Sequence, residues 1–304
     1  MIPLFPKFKK LELKDKKEIE NFTKKFPPYS DYNFTSMWCY NTEDKMRISW
    51  LNDNLVVRFQ DYITGEPFYS FLGTTKVVET ASSLLDYSKK KGLQAVLKLI
   101  PEVVVKTDKK INELFSVKED RDNFDYIYLI ESLSNLKGKK YCGQRNKINK
   151  FKKKFPKNII KLLSLKKNNT KEEILDLFFR WKKQKIKGKK NYEAKNELLA
   201  LNRLLKQKYI HNIIIFGTYV NNYLISFTVV EKVEPDCCII HFEKADISYF
   251  GIYKYLKQEI ARYFNRKEFF YLNYQQDLGI PNLRATKMEW KHVKYLKKYQ
   301  VANL

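Results

Sequence analysis

The stretch Phe269–Trp290 concentrates side chains able to do chemistry. An aromatic and aliphatic run ends in Asn273, and Gln275, Gln276 and Asp277 follow. Gly279 and Pro281 set a turn, after which Arg284 and Lys287 stand three positions apart. That spacing puts both cations on one face of a helix. Asp277 is close enough in sequence to fold back against them. Two readings fit. One is a capped short helix with a surface ion pair, a common object. The other is a cationic clamp for a phosphate or carboxylate, with Asp277 orienting the guanidinium fork.

A second concentration lies in the run Cys237–Ala245, where His241, Glu243 and Lys244 interrupt an apolar strand pattern. His241 alternates with apolar neighbours, so it reads either as a satisfied core histidine or as a proton carrier. Glu243 and Lys244 end the strand, where ligands of mixed sheets tend to lie. Asp277, Glu243 and His241 are the candidate catalytic groups. Asn273, Arg284, Lys287 and Lys244 are candidates for holding substrate. The three histidines form no metal spacing with Asp, Glu or Cys, and no cofactor motif is readable.

A third signal is charge without chemistry of its own. Residues 132–171 hold 14 Lys or Arg and no Asp or Glu. Within them Ile148, Phe151 and Phe155 recur at offsets of three and four, one apolar stripe on an otherwise basic helix. Residues 180–190 add seven basic residues in eleven. A surface that only keeps a protein soluble mixes signs. Arg145, Lys147, Lys150, Lys152, Lys153, Lys154, Lys182 and Lys183 are therefore candidate polyanion contacts.

The elements that must position these groups follow from periodicity. Before residue 131 the pattern predicts a hairpin around Asn52-Asp53-Asn54, a strand in Pro67–Gly73 and a helix over 76–91 stopped by Gly92. Buried strands are expected at 93–100 and 125–130. A polar seam at 132–145 suggests two lobes, 1–135 and 136–304, the second carrying the basic helix and the site. After residue 158 the order reads strand, two helices, three strands, helix, strand, helix, strand. That is the order of a GNAT acyltransferase core. The first lobe reads as a shorter, degraded version of the same plan, giving an α/β (α+β) fold of two GNAT-like lobes with mixed sheets flanked by helices.

In acyl-CoA enzymes of that fold, a glycine-rich turn before the helix that follows the central strand cradles a pyrophosphate. The matching place here is Ser248–Tyr253, with one glycine, Gly251, and a bulky Tyr253 where the backbone would need close approach. Both residues remain substrate-site candidates, but this turn argues against ordinary acyl-CoA chemistry.

The composition sets outer bounds. Lys and Arg number 59 against 34 Asp and Glu, a net charge of +25 that attracts polyanions. Four cysteines show no C-x-x-C pair, so a reducing compartment is expected. No apolar stretch reaches membrane-spanning length and no signal-peptide pattern opens the chain, so the expected setting is cytoplasmic or membrane-peripheral.

Three blocks resemble the C-terminal catalytic domain of bacterial phosphatidylglycerol lysyltransferases. The first is N-x-x-x-D-L-G-I-x-x-L-R-x-x-K, here Asn273, Asp277, Leu278, Gly279, Ile280, Leu283, Arg284 and Lys287. The second runs through His241, Glu243, Lys244, Ala245, Gly251, Ile252, Tyr253, Gln258 and Glu259. The third holds Arg145, Asn146, Ile148, Lys150 and Phe151. The resemblance implies a tandem-GNAT fold related to Fem-type transferases that take amino acids from aminoacyl-tRNA. Gln275 stands where members often carry an acid. The membrane-spanning half of the lipid-modifying members finds no counterpart in this sequence.

The function implied is aminoacyl transfer from an aminoacyl-tRNA to an amine or hydroxyl acceptor: a lipid head group, a peptide or a small molecule. The alternatives are a non-catalytic module of GNAT fold that grips RNA or anionic lipid, and an acyl-CoA N-acyltransferase. No cofactor is called for. The expected partner is a charged tRNA or another polyanion, with an anionic membrane surface as a further one.

Overall fold

The computed structural model describes residues 1–61, 64–166, 169–185, 192–207, 212–233 and 235–304. The chain forms two compact units that are not consecutive in sequence. The first comprises residues 1–125, 276–284 and 295–304, and the second comprises 126–275 and 285–294.

In the first unit, strands Lys9–Lys10, Arg47–Leu51, Asn54–Gln60 and Pro67–Leu72 form an antiparallel sheet in that order. Asn52 and Asp53 connect the middle pair, both with positive φ, the left-handed backbone that a tight hairpin turn requires. The predicted helix is Val77–Lys90. Val77, Ala81, Leu84 and Leu85 form its buried face, packed with Val56, Phe71, Leu97 and Val301. A second, three-stranded sheet has Lys298–Asn303 at its centre, antiparallel to Val96–Pro101 and Phe115–Glu119. The last strand of the chain is therefore the middle of a sheet whose other strands come from residues before 120.

The second unit repeats this exchange in reverse. Six consecutive strands of its seven-stranded sheet are, in order, Asp125–Leu129, Tyr271–Asn273, Cys237–Ala245, Tyr223–Val233, Ile213–Val220 and Ile159–Leu163. Helix Thr170–Lys185 packs against strands Tyr223–Val233 and Cys237–Ala245, and helix Ile252–Asn265 against Ile130–Asn135 and Cys142–Lys154. A strand buried on both faces reads as a continuous apolar run, and residues 224–231 are buried without interruption. The strand and helix order expected after residue 158 is observed as far as helix Pro281–Glu289, but the chain then forms two strands, Lys294–Leu296 and Lys298–Asn303, where one was expected.

Two irregularities shape the centre of this sheet. The pairing of Cys237–Ala245 with Tyr271–Asn273 is parallel and ends at Ile239 opposite Asn273. Beyond that point Ile240 and residues 242–245 pair with Tyr223–Val233, and the ladder to Tyr271–Asn273 does not continue, so the two strands part. The register also shifts between Val229 and Val230, where His241 is the extra residue of a β-bulge.

Candidate functional site

Where the strands part, three elements bring polar groups together. From the parting strand, the Glu243 Oε1 accepts a hydrogen bond of 2.6 Å from the Tyr274 hydroxyl. Its other oxygen, Oε2, is buried and has no hydrogen-bond partner among the described residues. From helix Ile252–Asn265, the Lys257 ammonium lies 3.0 Å from the centroid of the Tyr274 ring and 5.3 Å from that of Trp290. Lys257 is 1% exposed, and its Nζ likewise has no hydrogen-bond partner among the described residues. From the segment after Ala285, Glu289 pairs with Lys254 and lies 3.5 Å from Lys147.

The electrostatics follow from this arrangement. Burial, with Lys287 and Lys254 adding like charge, pushes the Lys257 amine down to about 7, although Glu243 and Glu289 pull the other way. Burial holds the Tyr274 hydroxyl well above the ordinary tyrosine range, reinforced by the Glu243 charge, so it is a donor at neutral pH. Lys254 is also lowered by burial, its pairing with Glu289 notwithstanding. The site thus holds a carboxylate with one oxygen to spare, a fixed hydroxyl donor and an amine that titrates near neutrality. That combination can accept and return a proton.

The residues expected from sequence divide among several roles. Asn273 is fully buried, and its Oδ1 accepts from the Gln275 backbone N–H at 2.7 Å. The Gln275 side chain donates to the Ile240 carbonyl at 2.7 Å, bracing the parted strand. Lys287 is buried and donates to the carbonyls of Tyr274 and Gln275, while Tyr128 holds the Lys287 carbonyl at 2.8 Å. Lys287 therefore fixes the turn that presents Tyr274. His241 Nε2 and Glu231 Oε2 are 2.8 Å apart, both buried, a satisfied pair at the bulge. Lys244 turns to the other face, pairing with Glu197 at 2.6 Å over the Trp181 ring.

Arg284 and Asp277 belong to the first unit, and their geometry is self-contained. Asp277 is fully buried. Its carboxylate accepts from Arg284 Nε at 2.9 Å and Nη2 at 2.8 Å, from Arg121 at 3.3 Å and from the Gly279 N–H at 2.9 Å. Arg284 also pairs with Asp122 at 2.6 Å. The bidentate fork expected for a ligand is filled here by Asp277. Arg284 and Lys287 share a helix spacing but not a set of partners.

Gly251 serves packing. Its φ is +88°, and a Cβ there would stand 2.3 Å from the Lys147 carbonyl oxygen of helix Cys142–Lys154. Gly251→Ala is expected to destabilise the protein by about 1–3 kcal/mol through backbone strain and this clash. Unfolding by denaturant would measure it. An unchanged midpoint would mean the two helices separate freely there. The Tyr253 hydroxyl is taken up by the fold: it accepts from the Ala245 N–H at 3.1 Å and donates to the Ala245 carbonyl at 3.4 Å.

The basic helix has the expected buried stripe of Ile148 and Phe151, with Phe155 beside it in a tilted ring contact with Tyr249, centroids 4.9 Å apart. Its cations are not equivalent. Arg145 donates to the Leu136 and Gly138 carbonyls, Lys147 pairs with Glu289, and Lys152 lies 3.7 Å from Glu259. Lys150, Lys153 and Lys154 are exposed. Lys183 is exposed and Lys182 half-buried, while positions 186–190 of the second basic run lie outside the described residues.

Lys257, Tyr274, Lys254 and Glu289 were not among the residues singled out by sequence. One signal could have found Lys257. It precedes Ile260, Ala261 and Phe264 by three, four and seven positions, so helical periodicity puts a lysine on the buried stripe. Among the described residues there is no group of three or more His, Cys, Asp or Glu that could hold a metal ion. Nor is any described helix long and apolar enough to cross a membrane.

With this geometry in view, comparison with known proteins is specific. Residues 23–302 match the family described as Phosphatidylglycerol lysyltransferase, C-terminal. No curated protein matches the chain significantly. A conserved protein of unknown function from Bacteroides thetaiotaomicron superimposes with a TM-score of 0.82 at 26% identity over 100% of both chains. The C-terminal domain of a putative lysylphosphatidylglycerol synthetase from Agrobacterium fabrum gives 0.65 at 10% identity, over 95% of this chain and 91% of that one. FemX gives 0.59 at 9% identity, over 98% and 97%. At these last identities the likeness establishes a shared fold, the tandem GNAT-like plan expected from the order of elements.

Proposed function

We propose that this chain, which belongs to the phosphatidylglycerol lysyltransferase C-terminal family, is an aminoacyltransferase that moves an amino acid from an aminoacyl-tRNA to an amine or hydroxyl acceptor. The observation that carries the reading is the unpartnered Glu243 oxygen beside Tyr274 where the strands part. An aminoacyl ester is already activated, so the enzyme has to place the nucleophile and manage one proton. Glu243 takes that proton as the acceptor nitrogen or oxygen bonds to the ester carbonyl carbon. The carbonyl–ribose bond then breaks, and the proton passes to the ribose oxygen of the departing tRNA. Tyr274 holds the carboxylate in place and donates to it throughout.

Exposed Lys150, Lys153 and Lys154 support a polyanionic donor. The same end of the sheet supports an acceptor on an anionic surface. There Ile159 pairs with Tyr219, Val220 with Tyr223, and Ala245 with Ser226. Ile159 is 51%, Tyr223 71% and Phe250 55% exposed. Exposed apolar and aromatic side chains on a basic protein suit the interface of an anionic bilayer.

Transfer of labelled amino acid from charged tRNA tests the proposal, with phosphatidylglycerol vesicles, peptides and small amines as acceptors. Label is expected to leave the tRNA for one of them. The variant changing Lys150, Lys153 and Lys154 to Glu should weaken tRNA binding about tenfold or more and flatten its salt dependence. Label that stays on the tRNA with every acceptor rejects the reading.

A further inference from the structure

The mechanism above leaves Lys257 without a task. A lysine removed from water with no hydrogen-bond partner is costly, and this one sits on the aromatic face of the residue that holds Glu243. We propose that Lys257 is a positioning residue that sets the basicity of Glu243: its neutral amine leaves the carboxylate able to take the acceptor's proton, and its ammonium form withdraws that ability. The inference rests on the aminoacyl-transfer reading for its consequence, but the linkage between the two groups is a property of the folded protein alone.

The geometry supplies the reason. Tyr274 stands between them, its hydroxyl on Glu243 Oε1 and its ring under the Lys257 nitrogen. The two groups form no ion pair within 4.0 Å, so neither is neutralised by direct contact, yet each feels the other's charge. The ionisable groups around Lys257 are Glu243 from the strand, Tyr274 from the turn after it, Lys287 and Glu289 from helix Pro281–Glu289, and Lys254 from its own helix. Lys254 and Glu289 are paired to each other, and Lys147 adjoins Glu289. Lys287 is held by two backbone carbonyls. That leaves Lys257 as the member whose charge changes near neutral pH. Coulomb interaction is reciprocal. Because Glu243 raises the proton affinity of Lys257, protonating Lys257 must lower that of Glu243.

The direct test is carbon-13 NMR of the Glu243 carboxyl carbon, assigned by its loss in Glu243→Gln. Wild type is expected to show a shift step with a midpoint near pH 7, where Lys257 titrates. Lys257→Met should abolish that step. Lys257→Arg, which keeps a permanent charge, should hold the resonance near its low-pH position from pH 6 to 8. A second readout is stability against pH. Lys257 binds its proton more weakly when folded than when unfolded, so its penalty is full below about pH 7 and is relieved as pH rises toward the ordinary lysine range. The melting temperature of Lys257→Met should therefore exceed wild type most below pH 7 and least near pH 10. Where transfer is measurable, the acid limb of wild-type activity near pH 7 should vanish in Lys257→Met. Lys257→Arg should be slow at every pH. A Glu243 step that survives in Lys257→Met overturns the inference even if transfer is found. A failed transfer assay with an intact step rejects the aminoacyl reading and leaves the linkage standing.

Discussion

Lys298→Met is expected to destabilise the first unit by about 3–5 kcal/mol, a fall in melting temperature on the order of 10 °C. Lys298 opens the last strand of the chain and is fully buried. Its ammonium lies 2.8 Å from Asp125 Oδ1 and also pairs with Asp31. Asp125 in turn accepts from the Ser30 N–H at 2.7 Å and the Ser30 hydroxyl at 2.6 Å, and Gln276 joins Ser30 and Asp31. Three non-contiguous stretches of one unit thus meet on a single amine. Removing it leaves two carboxylates buried without a counter-charge, the case in which breaking a buried pair is most costly. Burial already raises the proton affinity of Asp31. The variant should raise it further, so the deficit should shrink as pH falls toward 5 and a carboxyl takes up a proton. Thermal unfolding of wild type and variant from pH 5 to 8 measures both effects. A deficit under about 1 kcal/mol, independent of pH, would mean that water reaches these carboxylates.

What was legible in the sequence was local. Asn52-Asp53 marked a hairpin because few other residues accept two successive positive φ values. The Ile148, Phe151 and Phe155 spacing marked a helix with one buried stripe. The strand and helix order after residue 158 carried the fold, and the motif blocks carried the family, both of which the comparisons bear out. The strand exchange was not legible. Asp125–Leu129 and Lys298–Asn303 are each plain β-patterned segments, and nothing in a strand's own sequence names the sheet it will enter.

The site was half legible for a related reason. Glu243 stood out because an acid ended an apolar strand. Arg284 and Lys287 drew attention by their spacing, but spacing fixes only the angle around a helix axis. Arg284 finds Asp277 and Asp122, and Lys287 finds backbone carbonyls. Lys257 was hidden because lysine on an amphipathic helix is read as solvent-facing. Its burial depends on Tyr274 and Trp290, which arrive from elsewhere in the chain.

Glu243→Gln is expected to lower the transfer rate about 10²–10⁴-fold, the usual contribution of a general base, with little change in stability. The amide keeps the shape of the carboxylate, and its carbonyl oxygen can still accept from the Tyr274 hydroxyl, so the fold of the turn should persist. What is lost is the ability of the second oxygen to take a proton. The loss should fall on kcat, with KM for the charged tRNA nearly unchanged, because the proposed donor contacts are the exposed lysines and not Glu243. His241→Gln provides the contrast. His241 and Glu231 satisfy each other within the sheet, so that variant should lose stability first, and its activity only in proportion to the unfolded fraction. Rates and unfolding midpoints measured together on the two variants separate the cases. If Glu243→Gln transfers at the wild-type rate, the spare oxygen has no part in the chemistry. If its activity falls only as far as its stability does, Glu243 serves the turn that presents Tyr274 and the base must be sought elsewhere.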